Sequence, residues 1–105
     1  MSFADILKSL DRGLEQKLAA KLPSWAGVHV EVPASLNLQQ CSGETAARYK
    51  ASLVPPGARV ADLTGGLGVD SWAFSLHSGA VWYNERDSVL LDAVKRNFAA
   101  LGRGF

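Results

Sequence analysis

The stretch Arg59-Val-Ala-Asp-Leu-Thr-Gly-Gly-Leu-Gly-Val-Asp-Ser-Trp-Ala-Phe-Ser75 decides how the rest of the chain is read. Val60, Ala61 and Leu63 make a short apolar strand, and Gly65, Gly66 and Gly68 follow at once. Val69, Trp72, Ala73 and Leu76 then recur at helical spacing. A strand that feeds a helix through glycines lets a ligand approach the backbone closely, because no Cβ stands in the way. The free N–H groups at the helix start face whatever sits there. Further on, Ala80-Val-Trp-Tyr-Asn84 reads as a second strand with Glu85 at its carboxyl end. A carboxylate about 20 residues past the glycines is placed to accept hydrogen bonds from the two hydroxyls of a ribose. The spacing therefore predicts a nucleoside-binding βαβ half-site; the competing reading of the glycines is a tight turn that holds no ligand.

The glycine spacing bears on which nucleoside. A dinucleotide fingerprint wants G-x-G-x-x-G, with the third glycine allowing tight helix–strand packing. Here Gly66-Leu-Gly68 is followed by Val69, Asp70 and Ser71, so that glycine is missing. The run resembles instead the acidic-x-G-x-G-x-G pattern of class I S-adenosyl-L-methionine-dependent methyltransferases. Asp62 stands at the acidic position, and Thr64, Gly66 and Gly68 at the three glycine positions, Thr64 departing from the consensus. The run Asp62 to Asp70, with Asn84-Glu85-Arg86 after it, is similar to RNA-modifying methyltransferases, including the bacterial ribosomal-RNA guanine-N2 enzymes. It is more similar to a group of predicted bacterial methyltransferases that carry a THUMP-like region. In that group a segment like Leu36-Asn-Leu-Gln-Gln-Cys-Ser-Gly-Glu-Thr-Ala-Ala-Arg-Tyr-Lys50 precedes the motif, as it does here, and the resemblance spans roughly residues 20–102.

The resemblance implies a set of roles. Asp62 would lie under the methionine end of the cofactor, Gly66 and Gly68, with Thr64 and Gly65 in the same loop, against it, and Glu85 on the ribose hydroxyls. Arg86 would flank the adenine with its stem. Asp70 complements the dipole at the helix start, either as a simple cap or by reaching the cofactor's ammonium group. The fold implied is α/β: a helical segment over residues 1–54, then, over residues 55–105, the first βαβα half of a Rossmann-like methyltransferase sheet. The rest of that sheet and the catalytic step would lie beyond Phe105, so the sequence reads as a truncated portion of a larger enzyme, inactive alone. Catalytic residues are not assigned, and the expected partner is RNA.

Composition sets outer limits. One hundred and five residues make one domain at most, and 48% hydrophobic with 20% charged residues describes a globular chain. A net charge of +1 supplies no basic field of the kind that announces nucleic-acid binding by itself. Cys41 is the one cysteine, so no intrachain disulfide forms, and a reducing, cytoplasmic setting is expected. No apolar run approaches a membrane span, and His29 and His77 stand apart, so no metal site is expected.

The remaining segments read as cover. Ser2 to Leu22 is an amphipathic helix with Phe3, Ile6, Leu7, Leu10, Leu14, Leu18 and Leu22 on one stripe, capped by Ser2 with Asp5 and ended by Pro23. Such a stripe is ordinary core, or else a surface for a membrane or a partner helix. Val28, Val30 and Val32 alternate with His29 and Glu31, which predicts a short half-buried strand. Residues 34–40 form an irregular or short helical connection. A helix over 42–53 is expected with Ser42 as N-cap and Ala46, Ala47, Tyr49 and Leu53 as its apolar face. Gln39, Gln40, Cys41 and Ser42 are rim candidates for the cleft. The helix from Val69 is expected to end at Gly79 as a C′ residue, and the last helix to start at Asp87 or Ser88 and close at Gly102. An open sheet edge and apolar helix faces would favour self-association.

Two rival readings arise from the same residues. One is a nicotinamide or flavin dinucleotide half-domain, which shares the strand–glycine–helix–acid logic. The other is a non-catalytic helical interaction module whose βαβ unit has lost its ligand.

Overall fold

The computed structural model of the chain describes residues 2–103, apart from the side chains of residues 7–11. Leu7 and Leu10 of the expected stripe therefore lie outside the described residues. Helix α1 runs Phe3–Lys21 and begins with the reciprocal cap expected: the Asp5 N–H donates to Ser2 Oγ at 3.2 Å, and the Ser2 N–H to the Asp5 carboxylate at 3.1 Å. A single 3-10 turn, Pro23–Trp25, breaks the direction of the chain. Helices α2 (Ser35–Gln40) and α3 (Glu44–Ser52) come next, then strand β1 (Arg59–Asp62), helix α4 (Val69–Ser75), strand β2 (Ala80–Tyr83) and helix α5 (Ser88–Ala100). No described helix is long and apolar enough to cross a membrane.

Strands β1 and β2 pair in parallel, Val60 opposite Val81 and Asp62 opposite Tyr83. Side chains alternate across a strand, so Val60, Asp62, Val81 and Tyr83 share the half-buried face, while Ala61 and Trp82 look out from the other. This is the α/β unit read from the sequence. One hydrophobic cluster joins it to the helices before it, with Leu22, Trp25, Leu38 and Ala47 packed with Val69, Trp72, Val94 and Phe98. At its centre the rings of Trp25 and Trp72 meet edge to face, 5.9 Å apart.

Several expectations need correction. Residues 28–32 form no strand. The inward lean of Val30 and Val32 is real, but the backbone of Glu31 pairs with a side chain, not a strand: its N–H donates to Asn97 Oδ1 at 2.7 Å, and its carbonyl accepts from Asn97 Nδ2 at 2.8 Å. The α1 stripe buries only part of its length: Leu18 and Leu22 are core and Leu14 packs against it, whereas Phe3 is 76% exposed. Helix α3 is capped by Gly43, one residue later than expected, and the Ser42 hydroxyl instead accepts from Lys50 Nζ at 2.8 Å. It docks through the small Ala47 and Ala51, which leaves Ala46, Tyr49 and Leu53 outside. Helix α4 stops at Ser75, before the expected end. Gly79 has no left-handed backbone; it is small because a Cβ there would lie 2.3 Å from the Gly57 carbonyl oxygen. Asp87 caps α5 as expected, accepting from the Val89 and Leu90 N–H groups, and Gly102 closes it at φ +74°.

Candidate functional site

The carboxyl ends of β1 and β2 open onto a cleft of about 370 Å³, within the range that small-molecule sites occupy. One wall is the glycine loop: Thr64, Gly65, Gly66, Leu67 and Gly68, running into Val69 and Asp70 of α4. The opposite side is formed by Asn37 and Gln40 of α2 together with Cys41 and Ser42 just past its end. Asp62, Glu85, Asp87 and Leu90 complete the lining. The fold therefore brings Asp62, Thr64, Gly65, Gly66, Gly68, Asp70 and Glu85 to one cleft. Arg86 is exposed and does not line the cleft.

The loop is shaped by three glycines for three reasons. Gly66 has φ +58°, the left-handed region, and a Cβ there would meet the Thr64 carbonyl oxygen at an ordinary 3.7 Å. Gly68 has φ +87°, and a Cβ there would also strike the Phe98 ring at 2.6 Å. Gly65 has no left-handed backbone, but a Cβ there would meet the Tyr83 ring at 2.4 Å. Tyr83 and Phe98, edge to face at 5.6 Å, thus form an aromatic floor onto which two glycines settle. In sequence alone all three looked like ligand-facing glycines.

The carboxylates are oriented by the backbone. Glu85 Oε1 accepts from the Gly66 N–H at 3.0 Å and Oε2 from the Asp87 N–H at 2.8 Å. Each carboxylate oxygen has two lone-pair directions, so Glu85 keeps acceptor capacity on both oxygens while its plane is held. Asp62 accepts from the Ser71 hydroxyl at 2.7 Å and from the Thr64 N–H at 3.3 Å. Asp70 pairs with Lys50 at 3.2 Å, and the same ammonium holds Ser42, tying α3 and the α2–α3 corner to the start of α4. On the other side Lys21 Nζ donates to the Leu38 carbonyl at 2.6 Å, closing the end of α2.

Cys41 is half-buried at the cleft wall. Burial pushes its thiol above the ordinary range, against the pull of nearby Lys21, and its S–H donates to the Leu38 carbonyl at 3.1 Å. A raised, donating thiol is no nucleophile at neutral pH. Asn37, Asp87 and Leu90 were missed as lining residues. Asp87 reads from sequence as a helix cap, which it is, and nothing in its spacing distinguishes a cap that also edges a cleft.

No protein-family model and no curated protein matches the chain. Among solved structures, the chain is similar to a protein described as a putative methyltransferase from Porphyromonas gingivalis W83, with 37% identity and a TM-score of 0.78. The match covers 85% of this chain and 22% of that one, so the chain spans about a fifth of that protein's length. The α/β architecture is thus that of part of a methyltransferase fold.

Proposed function

We propose that the cleft binds S-adenosyl-L-methionine, and that the chain is the cofactor-binding portion of a methyltransferase acting on RNA. One observation carries the choice of ligand: the lining holds four carboxylates, Asp62, Asp70, Glu85 and Asp87, and among the described residues no lysine, arginine or histidine lines it. A dinucleotide brings a doubly charged pyrophosphate into such a cleft and meets a lining whose charged groups are all acidic, although Lys50 behind the wall pairs with one of them, Asp70. A sulfonium with an ammonium group and no phosphate meets opposite charge. The residues therefore fit the group.

In this reading Glu85 receives the ribose hydroxyls with the acceptor capacity left on its two oxygens. Asp62 faces the cationic methionine end. Asp70 is already paired with Lys50, so its charge is partly spent, and its role is to order the wall. Gly66, lacking a Cβ, leaves room for the ligand beside the backbone. When bound, the cofactor supplies an electrophilic methyl group; the chain's own task is orientation and exclusion of water. Residues 1–54 act as the cover and residues 55–105 as the cradle. RNA as acceptor rests on the resemblance of Leu36–Lys50 and Asp62–Asp70 to RNA-modifying enzymes; Asn37, Gln40, Cys41 and Ser42 of the first segment line the same cleft as the loop.

Calorimetric titration with S-adenosylhomocysteine, S-adenosylmethionine and NAD tests the ligand. Binding of the first two with none for NAD is expected, with the melting temperature rising as ligand is added in excess of its dissociation constant. Tighter binding of NAD would overturn the reading and restore the dinucleotide alternative.

A further inference from the structure

Tyr83 ends strand β2 and Glu85 lies two residues past it, and both side chains reach the same residue of the glycine loop. The Glu85 carboxylate accepts from the Gly66 N–H at 3.0 Å, and the Tyr83 hydroxyl donates to the Gly66 carbonyl. The two polar ends of one glycine are thus gripped from the end of β2 and the loop that follows it. We propose that Tyr83 is a positioning residue for the cleft: by holding the Gly66 carbonyl it keeps the Gly66 N–H on Glu85, and so fixes the carboxylate that receives the ligand's vicinal hydroxyls. The inference rests on the cofactor reading above for the identity of that ligand.

The physical reason lies in Gly66 itself. A glycine at φ +58°, whose missing Cβ would have only the Thr64 carbonyl oxygen within 4 Å, at 3.7 Å, has no side-chain packing to hold its backbone conformation. Its orientation is set by what its N–H and C=O bond to. If the carbonyl is released, no packed side chain holds the residue in place, and Glu85 is exposed to losing one of the two N–H groups that orient it. Tyr83 is well suited to the task. Its ring is wedged between Gly65 and Phe98, so the hydroxyl has a fixed origin. Burial, with the charges of Glu85 and Asp62 adding to it, pushes the phenol well above its ordinary range, which keeps the hydroxyl protonated and a donor at neutral pH.

Tyr83→Phe removes the hydroxyl and keeps the ring; Tyr83→Leu removes both. In the ligand-free 105-residue chain, amide exchange at Gly66 is expected to be about tenfold faster in Tyr83→Phe, the order of one lost hydrogen bond, with the α5 amides unchanged. The melting temperature is expected to fall clearly further for Tyr83→Leu, which also loses the ring, than for Tyr83→Phe, which loses one hydrogen bond. S-adenosylhomocysteine is expected to bind about fivefold to tenfold more weakly to Tyr83→Phe. Placed on a Glu85→Gln background the same change is expected to add little, because its effect passes through that carboxylate. Unchanged exchange at Gly66, an equal loss of melting temperature in both variants, or full additivity with Glu85→Gln would each overturn the role of Tyr83. A parent chain that binds no S-adenosylhomocysteine, with faster exchange in Tyr83→Phe, would instead overturn the cofactor reading and leave the loop clamp standing.

Discussion

The side-chain amide of Asn97 occupies the place of a missing strand, pairing with both backbone groups of Glu31 at 2.7 and 2.8 Å. Asn97 is 1% exposed, and it is the amide of a helix residue that satisfies an irregular segment 66 residues away in sequence. Asn97→Leu preserves volume but leaves a donor and an acceptor without partners. It is expected to destabilise the chain by about 2–4 kcal/mol, each orphaned group costing about 1–3 kcal/mol. Urea unfolding checks this; a loss below about 0.5 kcal/mol would mean that water replaces the pairing freely.

The three loop glycines are expected to separate on substitution by alanine. Gly66→Ala meets only the left-handed backbone and is expected to cost about 1 kcal/mol. Gly65→Ala drives a methyl group into the Tyr83 ring, and Gly68→Ala adds the Phe98 clash to an unfavourable φ; both are expected to cost more, on the order of 2–4 kcal/mol. Melting temperatures of the three variants test the ranking, and equal losses would contradict the geometry.

Glu85→Ala is expected to weaken S-adenosylhomocysteine binding by about tenfold to a hundredfold, since charge-assisted hydrogen bonds of about 1.5–3 kcal/mol are removed. The Gly66 and Asp87 N–H groups lose their acceptor as well, so the effect includes loop disorder. Calorimetry on Glu85→Ala decides it, and an affinity equal to the parent's would take Glu85 out of the site.

Acid is expected to weaken the fold through two anchoring carboxylates. At Glu44, burial pushes the carboxyl up, but the Ser24 hydroxyl and N–H and the Arg48 guanidinium together hold it below its ordinary 4.5. At Glu31 the hydrogen bond from Arg96 does the same, against a smaller opposing effect of burial. A carboxyl lowered in the folded state contributes stability above its unfolded value, and that contribution is lost as pH falls through the folded one. The denaturation midpoint should therefore hold at neutral pH and decline below about 4.5. In Glu44→Gln that decline should be shallower; an unchanged slope would exclude Glu44 as a contributor.

The outer sheet face is expected to associate. Trp82 is 55% and Leu63 73% exposed, and strands β1 and β2 are described with no third strand beside them. Sedimentation of the 105-residue chain at rising concentration should show larger species, and Trp82→Lys should shift them toward monomer. A chain that stays monomeric at all concentrations would leave this face with no such role.

The local grammar of the chain was legible because it depends on neighbours in sequence. The strand–glycine–helix run, the Ser2–Asp5 and Asp87 caps and the Glu85 position each stem from backbone hydrogen bonding and from residue spacing. Tertiary structure alone decided the places where non-local partners compete. Val28 to Val32 has the alternation of a strand, yet strand pairing needs a second backbone, and the partner it meets is the Asn97 side chain. Tyr49 and Leu53 look like a helix face, but Ala47 and Ala51 permit closer approach and win the interface, with Arg48 laid over the Trp72 ring at 5.0 Å. Gly65 and Gly68 look like ligand glycines, and only the packing shows that aromatic rings claim their missing Cβ positions. Sequence periodicity records which residues prefer burial; it does not record which of several apolar or polar surfaces arrives to bury them.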